Sequence, residues 1–184
     1  MKLKALAALL ALAAVGPAMA ATCSGTANWG SMGPPGMREF GNSFSSTGSY
    51  LDCYSFSLTG LANSFGGVME IDPWLTYLDI DVTKVSLFSG GIASGKTTGS
   101  LVNWDDSPDN FSFGSMSAGT YTLAIATTVG YEFGLFGSAV SYKGTIATTA
   151  ASVASPAPEP ASYAMMLAGL VGVGAAARRR SKKD

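Results

Sequence analysis

The chain has 184 residues, 12% of them charged, and a formal net charge of -1. This value hides an uneven distribution, because residues 21–155 carry four cations against ten anions and the other cations lie at the two ends. The acidic central region argues against nucleic acid as a partner, and the absence of histidine excludes serine–histidine–aspartate and cysteine–histidine catalysis and the commonest zinc ligand.

The first twenty residues have the organisation of a secretory signal peptide. Lys2 and Lys4 form a positive start, residues 3–15 are apolar, and a small-x-small pattern ends at Ala20. We predict Sec-type export and cleavage between Ala20 and Ala21. The alternative is an uncleaved anchor helix, which the short apolar core and the well-formed cleavage site disfavour.

Two cysteines follow in the exported part of the chain, Cys23 and Cys53. An even number of cysteines in an oxidising compartment predicts one disulfide, here closing a loop of about 30 residues. Two alternatives stay open at this point. Cys23 could be lipidated, although the residues before it lack the usual pattern, or both thiols could be free.

Residues 21–48 are rich in glycine, serine and proline and are expected to form an extended loop with little regular structure. Period-two alternation begins next, in the segment that contains Tyr50, Asp52 and Tyr54. Alternation of this kind is typical of a strand with one apolar face.

Further short strands are predicted up to residue 149, separated by glycine-rich turns, and no helical period appears. They lie at residues 68–71, 75–88, 101–104, 111–113, 121–129 and 139–149. The pattern predicts an all-β domain over residues 49–149, of β-sandwich or jelly-roll type. Residues 150–157 read as an extended linker.

The last segment, residues 158–184, combines three features. Pro158, Glu159 and Pro160 form a polar motif, residues 161–177 are apolar, and a basic tail follows at 178–184 that begins with Arg178, Arg179 and Arg180. As a helix the apolar run reaches about 26 Å, the lower limit for a transmembrane span. Small residues four apart would allow close helix contacts (Ala164, Ala168, Gly172 and Ala176), and the arginines would act as a cytoplasmic stop signal.

This order of motif, helix and arginines resembles the PEP-CTERM sorting signal. The resemblance implies that an exosortase, an integral-membrane peptidase, recognises the motif and cuts near it. The protein would then be held in the membrane before processing and be released to the cell surface or the medium of a Gram-negative bacterium afterwards.

The central domain resembles the FxDxF group of PEP-CTERM proteins. Tyr50, Asp52 and Tyr54 fit its aromatic-x-Asp-x-aromatic motif, although both aromatic residues are tyrosine and Cys53 lies inside the motif. Segments at 117–123 and 142–146 follow in the order of the group. The resemblance implies a small exported β protein without enzymatic activity, associated with exopolysaccharide-producing, biofilm-forming bacteria.

Acidic residues offer two candidate sites for chemistry. Asp79 and Asp81 share a strand face and could act as a carboxylate pair in a hydrolase or bind Ca²⁺, or they could form a solvated face. Oxygen ligands also cluster in a loop, where they could bind Ca²⁺ or build an ordinary turn (Asn103, Asp105, Asp106, Asp109 and Asn110). Asp52 could bind a cation but is better explained by a structural hydrogen bond.

Aromatic residues and threonines offer candidate ligand-binding surfaces. Five aromatic side chains could form a platform for sugars, or they could belong to the core (Trp29, Trp74, Trp104, Tyr77 and Tyr131). Paired threonines at 97–98 and 127–128 hint at ice binding, but regular Thr-x-Thr repeats are missing.

The sequence therefore predicts an exported, non-enzymatic β protein that is sorted by an exosortase-like peptidase. Its expected role is structural or adhesive, in the cell envelope or the exopolysaccharide matrix. The alternatives are a glycan- or ice-binding module and, less favoured, a carboxylate-based hydrolase. No cofactor is expected, with Ca²⁺ as the alternative.

Overall fold

The computed structural model describes residues 20–73, 76–132, 134, 137–152 and 165. The expected signal peptide before Ala20, the motif Pro158, Glu159 and Pro160, and the basic tail with Arg178, Arg179 and Arg180 lie outside the described residues. So does the expected transmembrane helix at 161–177, apart from residue 165, and so does Trp74. Among the residues described, no helix is long and apolar enough to cross a membrane.

The fold is all-β, as the alternation predicts. Eleven strands are present in the described part of the chain: β1 Gly25–Ser31, β2 Gly36–Phe44, β3 Gly48–Leu58, β4 Ala62–Ile71, β5 Leu78–Ser89, β6 Ile92–Ala93, β7 Lys96–Thr97, β8 Leu101–Asp105, β9 Phe111–Met116, β10 Gly119–Tyr131 and β11 Val140–Ala150. A single turn of 3₁₀ helix at Pro108–Asn110 precedes β9.

Two large sheets form a sandwich, and a small hairpin of β6 and β7 stands beside them. Sheet 1 has the strand order β1-β3-β10-β5-β8, and sheet 2 has the order β2-β11-β4-β9. The pairs within these sheets are antiparallel except for β1 and β3, which run parallel. The inward side chains of both sheets form one hydrophobic core that includes Phe56, Leu123, Ile125, Phe111 and Ile146.

The N-terminal segment and the β6–β7 hairpin cover part of the outer face of sheet 1. Cys53, Phe88 and Ala124 form a second, smaller apolar cluster on that face, against which Ala21, Cys23 and Ile92 pack. The backbone amide of Cys23 donates to the Gly95 carbonyl (2.8 Å). The N-terminal segment and the β6–β7 hairpin therefore lie together over one side of the sandwich.

Cys23 and Cys53 form the predicted disulfide, with their Cα atoms 5.8 Å apart. The bond joins the N-terminal segment to the middle of β3, a strand that pairs on both of its edges. Because the described part of the chain has no free cysteine, the alternatives of a lipidated Cys23 and of free thiols do not apply to this structure.

The expectation of an irregular loop over residues 21–48 is wrong. This segment contributes β1 and β2, one edge strand to each sheet. The strand predicted at 68–71 is longer than expected, because β4 starts at Ala62 and runs through Gly66 and Gly67. A Cβ atom on Gly66 would lie 2.1 Å from the Thr145 carbonyl oxygen, so this glycine permits close packing rather than a turn.

Candidate functional site

The central feature of the core is a buried carboxylate. Asp52 lies in the middle of β3 and is only 2% exposed. The side-chain amide of Asn42 donates to it, with Nδ2 at 3.0 Å from each carboxylate oxygen, and the Tyr142 hydroxyl donates to Oδ2 at 2.7 Å. Since β2 and β11 belong to the other sheet, this carboxylate connects the two layers of the sandwich.

A second tyrosine extends the network. The hydroxyl of Tyr54 lies 2.9 Å from that of Tyr142, and it also donates to the Gly41 carbonyl at 3.3 Å. Burial raises the pKa of Tyr142 far above its ordinary value, and burial likewise raises the pKa of Tyr54. Both hydroxyls therefore remain protonated, and Tyr142 supplies a donor that the buried carboxylate of Asp52 requires.

The local sequence explains how these groups meet. Alternation along β3 turns Tyr50, Asp52 and Tyr54 toward the core while Cys53 faces outward. In the parallel pair of β1 and β3, Gly25 lies in register with Asp52. A Cβ atom at Gly25 would stand 2.5 Å from Asp52 Oδ1, so the absence of a side chain makes room for the carboxylate.

The sequence missed the two donors on sheet 2. Asn42 falls in the segment expected to form a loop, and Tyr142 falls in the strand predicted at 139–149 without a role in a site. A signal for Asn42 was present, because it stands between Phe40 and Phe44 at intervals of two, a polar residue on an otherwise apolar strand face.

Of the five aromatic residues proposed as a sugar platform, the four that the structure describes do not share one surface. Trp29 packs against the core and stacks on Tyr54, with ring centroids 4.8 Å apart. Tyr77 and Tyr131 form an exposed pair with centroids 6.0 Å apart. Trp104 lies on the edge strand β8, where the ammonium of Lys84 stands 4.4 Å from the ring centroid. Sequence alone could not separate these environments.

The acidic candidates are also dispersed. Asp79 and Asp81 point to solvent from β5. Asp105 accepts hydrogen bonds from the amides of Ser107 (2.9 Å) and Ser112 (3.4 Å), the pattern of an ordinary turn, and Asp106 forms an ion pair with Lys84 (3.5 Å). Within residues 20–73, 76–132, 134, 137–152 and 165, no group of three or more His, Cys, Asp or Glu side chains could hold a metal ion.

Asp72 stands in an acidic patch that disfavours its charge. Desolvation raises the pKa of Asp72, and the charges of Asp79, Glu70 and Glu132 raise it further. A carboxyl group whose pKa is raised by folding destabilises the folded state at neutral pH. That penalty disappears as the pH falls below the pKa of the unfolded chain.

We therefore expect Asp72→Asn to stabilise the protein by a few tenths of a kcal/mol at pH 7, a small value because the side chain is largely exposed and screened. The gain should shrink in high salt and vanish near pH 3. Urea unfolding at several pH values measures it. Asp106→Asn is the matched control, since Asp106 faces Lys84 and its removal should not stabilise. Equal gains from both variants would contradict the repulsive patch.

The comparisons with known proteins concern two parts of the chain. Residues 156–180 match the family model described as the PEP-CTERM protein-sorting motif. This match supports export and sorting by an exosortase. No curated protein matches the chain.

Solved structures resemble the domain only distantly. A periplasmic inhibitor of g-type lysozyme from Aeromonas hydrophila, PliG, has a TM-score of 0.38 and 10% identity, and the alignment covers 67% of this chain and 100% of that one. Its counterpart from Salmonella Typhimurium has a TM-score of 0.34, 13% identity and coverages of 68% and 98%. The pre-peptidase C-terminal domain of a Bacillus anthracis collagenase has a TM-score of 0.34, 8% identity and coverages of 66% and 93%.

Proposed function

We propose that this protein is an exported, non-enzymatic β-sandwich that an exosortase-like peptidase sorts through its C-terminal signal. Its role is structural or adhesive, in the cell envelope or the exopolysaccharide matrix. The observation that carries the proposal is the match of residues 156–180 to the PEP-CTERM sorting motif. The chain would reach the membrane through Sec-type export and be held there until it is processed.

The use of the polar residues in the core supports a structural role. The carboxylate of Asp52 and the hydroxyls of Tyr54 and Tyr142 bond to each other and to the second sheet. Groups that could otherwise act as acid, base or ligand are thereby engaged in holding the layers together. The disulfide between Cys23 and Cys53 adds a covalent tie suited to an oxidising compartment.

A glycan-binding role is the second candidate, favoured by the exposed pair Tyr77 and Tyr131. Flat aromatic rings at a surface bind the apolar faces of sugars at low entropic cost. Under this second candidate function, the protein binds the exopolysaccharide. Retarded migration of the exported protein in gels that contain the polysaccharide, lost in Tyr131→Ala, would support it.

Sorting is tested by the mass of the exported protein. We expect the mature form to lack the chain beyond the region of Pro158, Glu159 and Pro160. In a strain without exosortase, or with Glu159→Ala, the uncut protein should remain in the membrane fraction. Intact-mass spectrometry and fractionation measure both effects.

The matched control is Glu132→Ala, which removes an exposed glutamate outside the motif and should be processed normally. A mature protein that still ends at Asp184, or equal processing of the Glu159 variant, would overturn the proposal.

A further inference from the structure

The two outer faces of the sandwich differ in their cover. The N-terminal segment and the β6–β7 hairpin lie over sheet 1, whereas β2 and β11 of sheet 2 have no such cover in the described part of the chain, and the 3₁₀ turn at Pro108–Asn110 contacts β4 at Gly67. Three large apolar side chains are exposed on that open face: Met37 (63%), Phe65 (49%) and Met69 (65%). Contiguous apolar exposure of this kind marks an interaction surface more often than chance.

The strand register places two of these side chains, Met37 and Phe65, in one row. Met37 of β2 is opposite Ala147 of β11, which is opposite Phe65 of β4, so an apolar row crosses three strands. Four residues away on β11, Lys143 stands opposite Met69 on one neighbouring strand and opposite Gly41 on the other. The open face thus has an apolar stripe rather than single scattered residues.

The charged side chains on the open face of sheet 2 suit contact with a second copy of the same chain. Residues 21–155 carry ten anions against four cations. Yet Glu39 and Lys143 are the two charged side chains among the outward-facing positions of β2, β4, β9 and β11, with Asp109 at the rim of the face. The sole ion pair in the described part of the chain is Lys84 with Asp106, so these two opposite charges are not paired with each other.

We propose that the open face of sheet 2 packs against the same face of a second copy of this chain. A two-fold axis that passes between Glu39 and Lys143 brings each of them against the other residue of the partner. An acidic protein can associate with itself most readily through a face on which an acidic residue is balanced by a basic one, as Glu39 is by Lys143. This inference does not rest on the sorting signal, and either can fail without the other.

The size and relief of the face fit a modest dimer. Three to four strands about 4.8 Å apart and about nine residues long cover on the order of 500 Å² before side-chain relief is counted. A standard interface buries about 800 Å² per partner, so we expect micromolar rather than nanomolar affinity. A shallow depression of about 860 Å³, lined among others by Gly41 and Gly67, can receive a protruding side chain of the partner.

The first test adds a charge to the stripe. In sedimentation of the exported protein, we expect the average mass to rise from monomer toward dimer with concentration. Phe65→Lys should weaken association at least tenfold. Lysine is chosen because it reduces the net negative charge, so a loss of association cannot come from general repulsion.

Val102→Lys is the matched control, because Val102 is equally exposed but lies on β8 at the edge of sheet 1. It should associate like the wild type, and circular dichroism should show both variants folded. A wild type that stays monomeric up to about 1 mM, as would follow if the face binds a glycan or a different protein instead, overturns the proposal. Equal weakening by both variants does so too.

The second test changes the charges of Glu39 and Lys143, which face each other between the two copies in the proposed dimer. Lys143→Glu should weaken the dimer, because it sets two glutamates against two glutamates across the axis. The double variant Glu39→Lys/Lys143→Glu restores opposite charges and should recover most of the lost association. A double variant no better than the single one would overturn the placement of the axis.

The third test works with the full chain in producing cells. Thr145 lies on β11 opposite Glu39, close to the proposed axis. Thr145→Cys should give a dimer with a short bis-maleimide, because stacked sheets lie about 10 Å apart, beyond the reach of a direct disulfide. Thr128→Cys, exposed on the other face, is the control. No cross-linking at Thr145, or equal cross-linking at both positions, contradicts the proposal.

Discussion

Tyr142→Phe is expected to lower the free energy of unfolding by about 1.5–3 kcal/mol, the range for a hydrogen bond to a charged group. The substitution keeps the ring and its packing but removes the hydroxyl that donates to Asp52 at 2.7 Å. Asn42 would then be the remaining side-chain donor to a carboxylate that is almost fully buried. Chemical denaturation at pH 7 measures the loss.

Tyr50→Phe is the matched control for this prediction. Tyr50 belongs to the same motif, but its hydroxyl bonds to Ser46 at the surface (2.9 Å to the carbonyl). Its removal should cost no more than about 0.5 kcal/mol. In an Asp52→Asn background, Tyr142→Phe should cost only about 1 kcal/mol, since a neutral amide tolerates the missing donor better. Equal losses from Tyr142→Phe and Tyr50→Phe would show that the buried network does not hold the sheets together.

Removal of the disulfide is expected to have the largest effect on stability. The double variant Cys23→Ala/Cys53→Ala opens a loop with a sequence separation of 30 and should cost about 3–4 kcal/mol in the chain-entropy model. It should also release the N-terminal segment from the outer face of sheet 1, where Cys23 and Ala21 pack beside Phe88. Urea unfolding and limited proteolysis measure the two effects.

Reduction of the wild-type protein by dithiothreitol should reproduce the instability of the double variant, which excludes a packing effect of the alanines. Early proteolytic cleavage should fall within residues 21–35 rather than in β5 or β10. An oxidised protein no more stable than the reduced one would contradict the prediction.

The sequence predicted most strands because period-two alternation is a local property. It found the inward face of β3 with Tyr50, Asp52 and Tyr54, and the outward position of Cys53 follows from the same alternation. It does not predict β1 and β2, because glycines and prolines in this density indicate a loop. In the structure Gly25 makes room for a carboxylate, which is a property of packing and not of the local chain.

The hydrogen bonds around Asp52 could not be predicted from the sequence for a related reason. Asn42 is 10 residues from Asp52, and Tyr142 is 90 residues from it. No local sequence pattern indicates that β3 faces β2 and β11 across the core. A buried aspartate on an apolar strand face does predict that donors exist. It does not identify which residues are the donors.

The strand order has a consequence for the timing of export. The central strand of sheet 1 is β10, and β11 is one of the two inner strands of sheet 2; they are the last two strands in the described part of the chain. Neither sheet can close, and Asp52 cannot meet Tyr142, until nearly the whole domain has crossed the membrane. The sorting match begins at residue 156, six residues after β11 ends at Ala150. A segment that retains the chain at the membrane would therefore delay departure until the last strand has had time to insert between its neighbours.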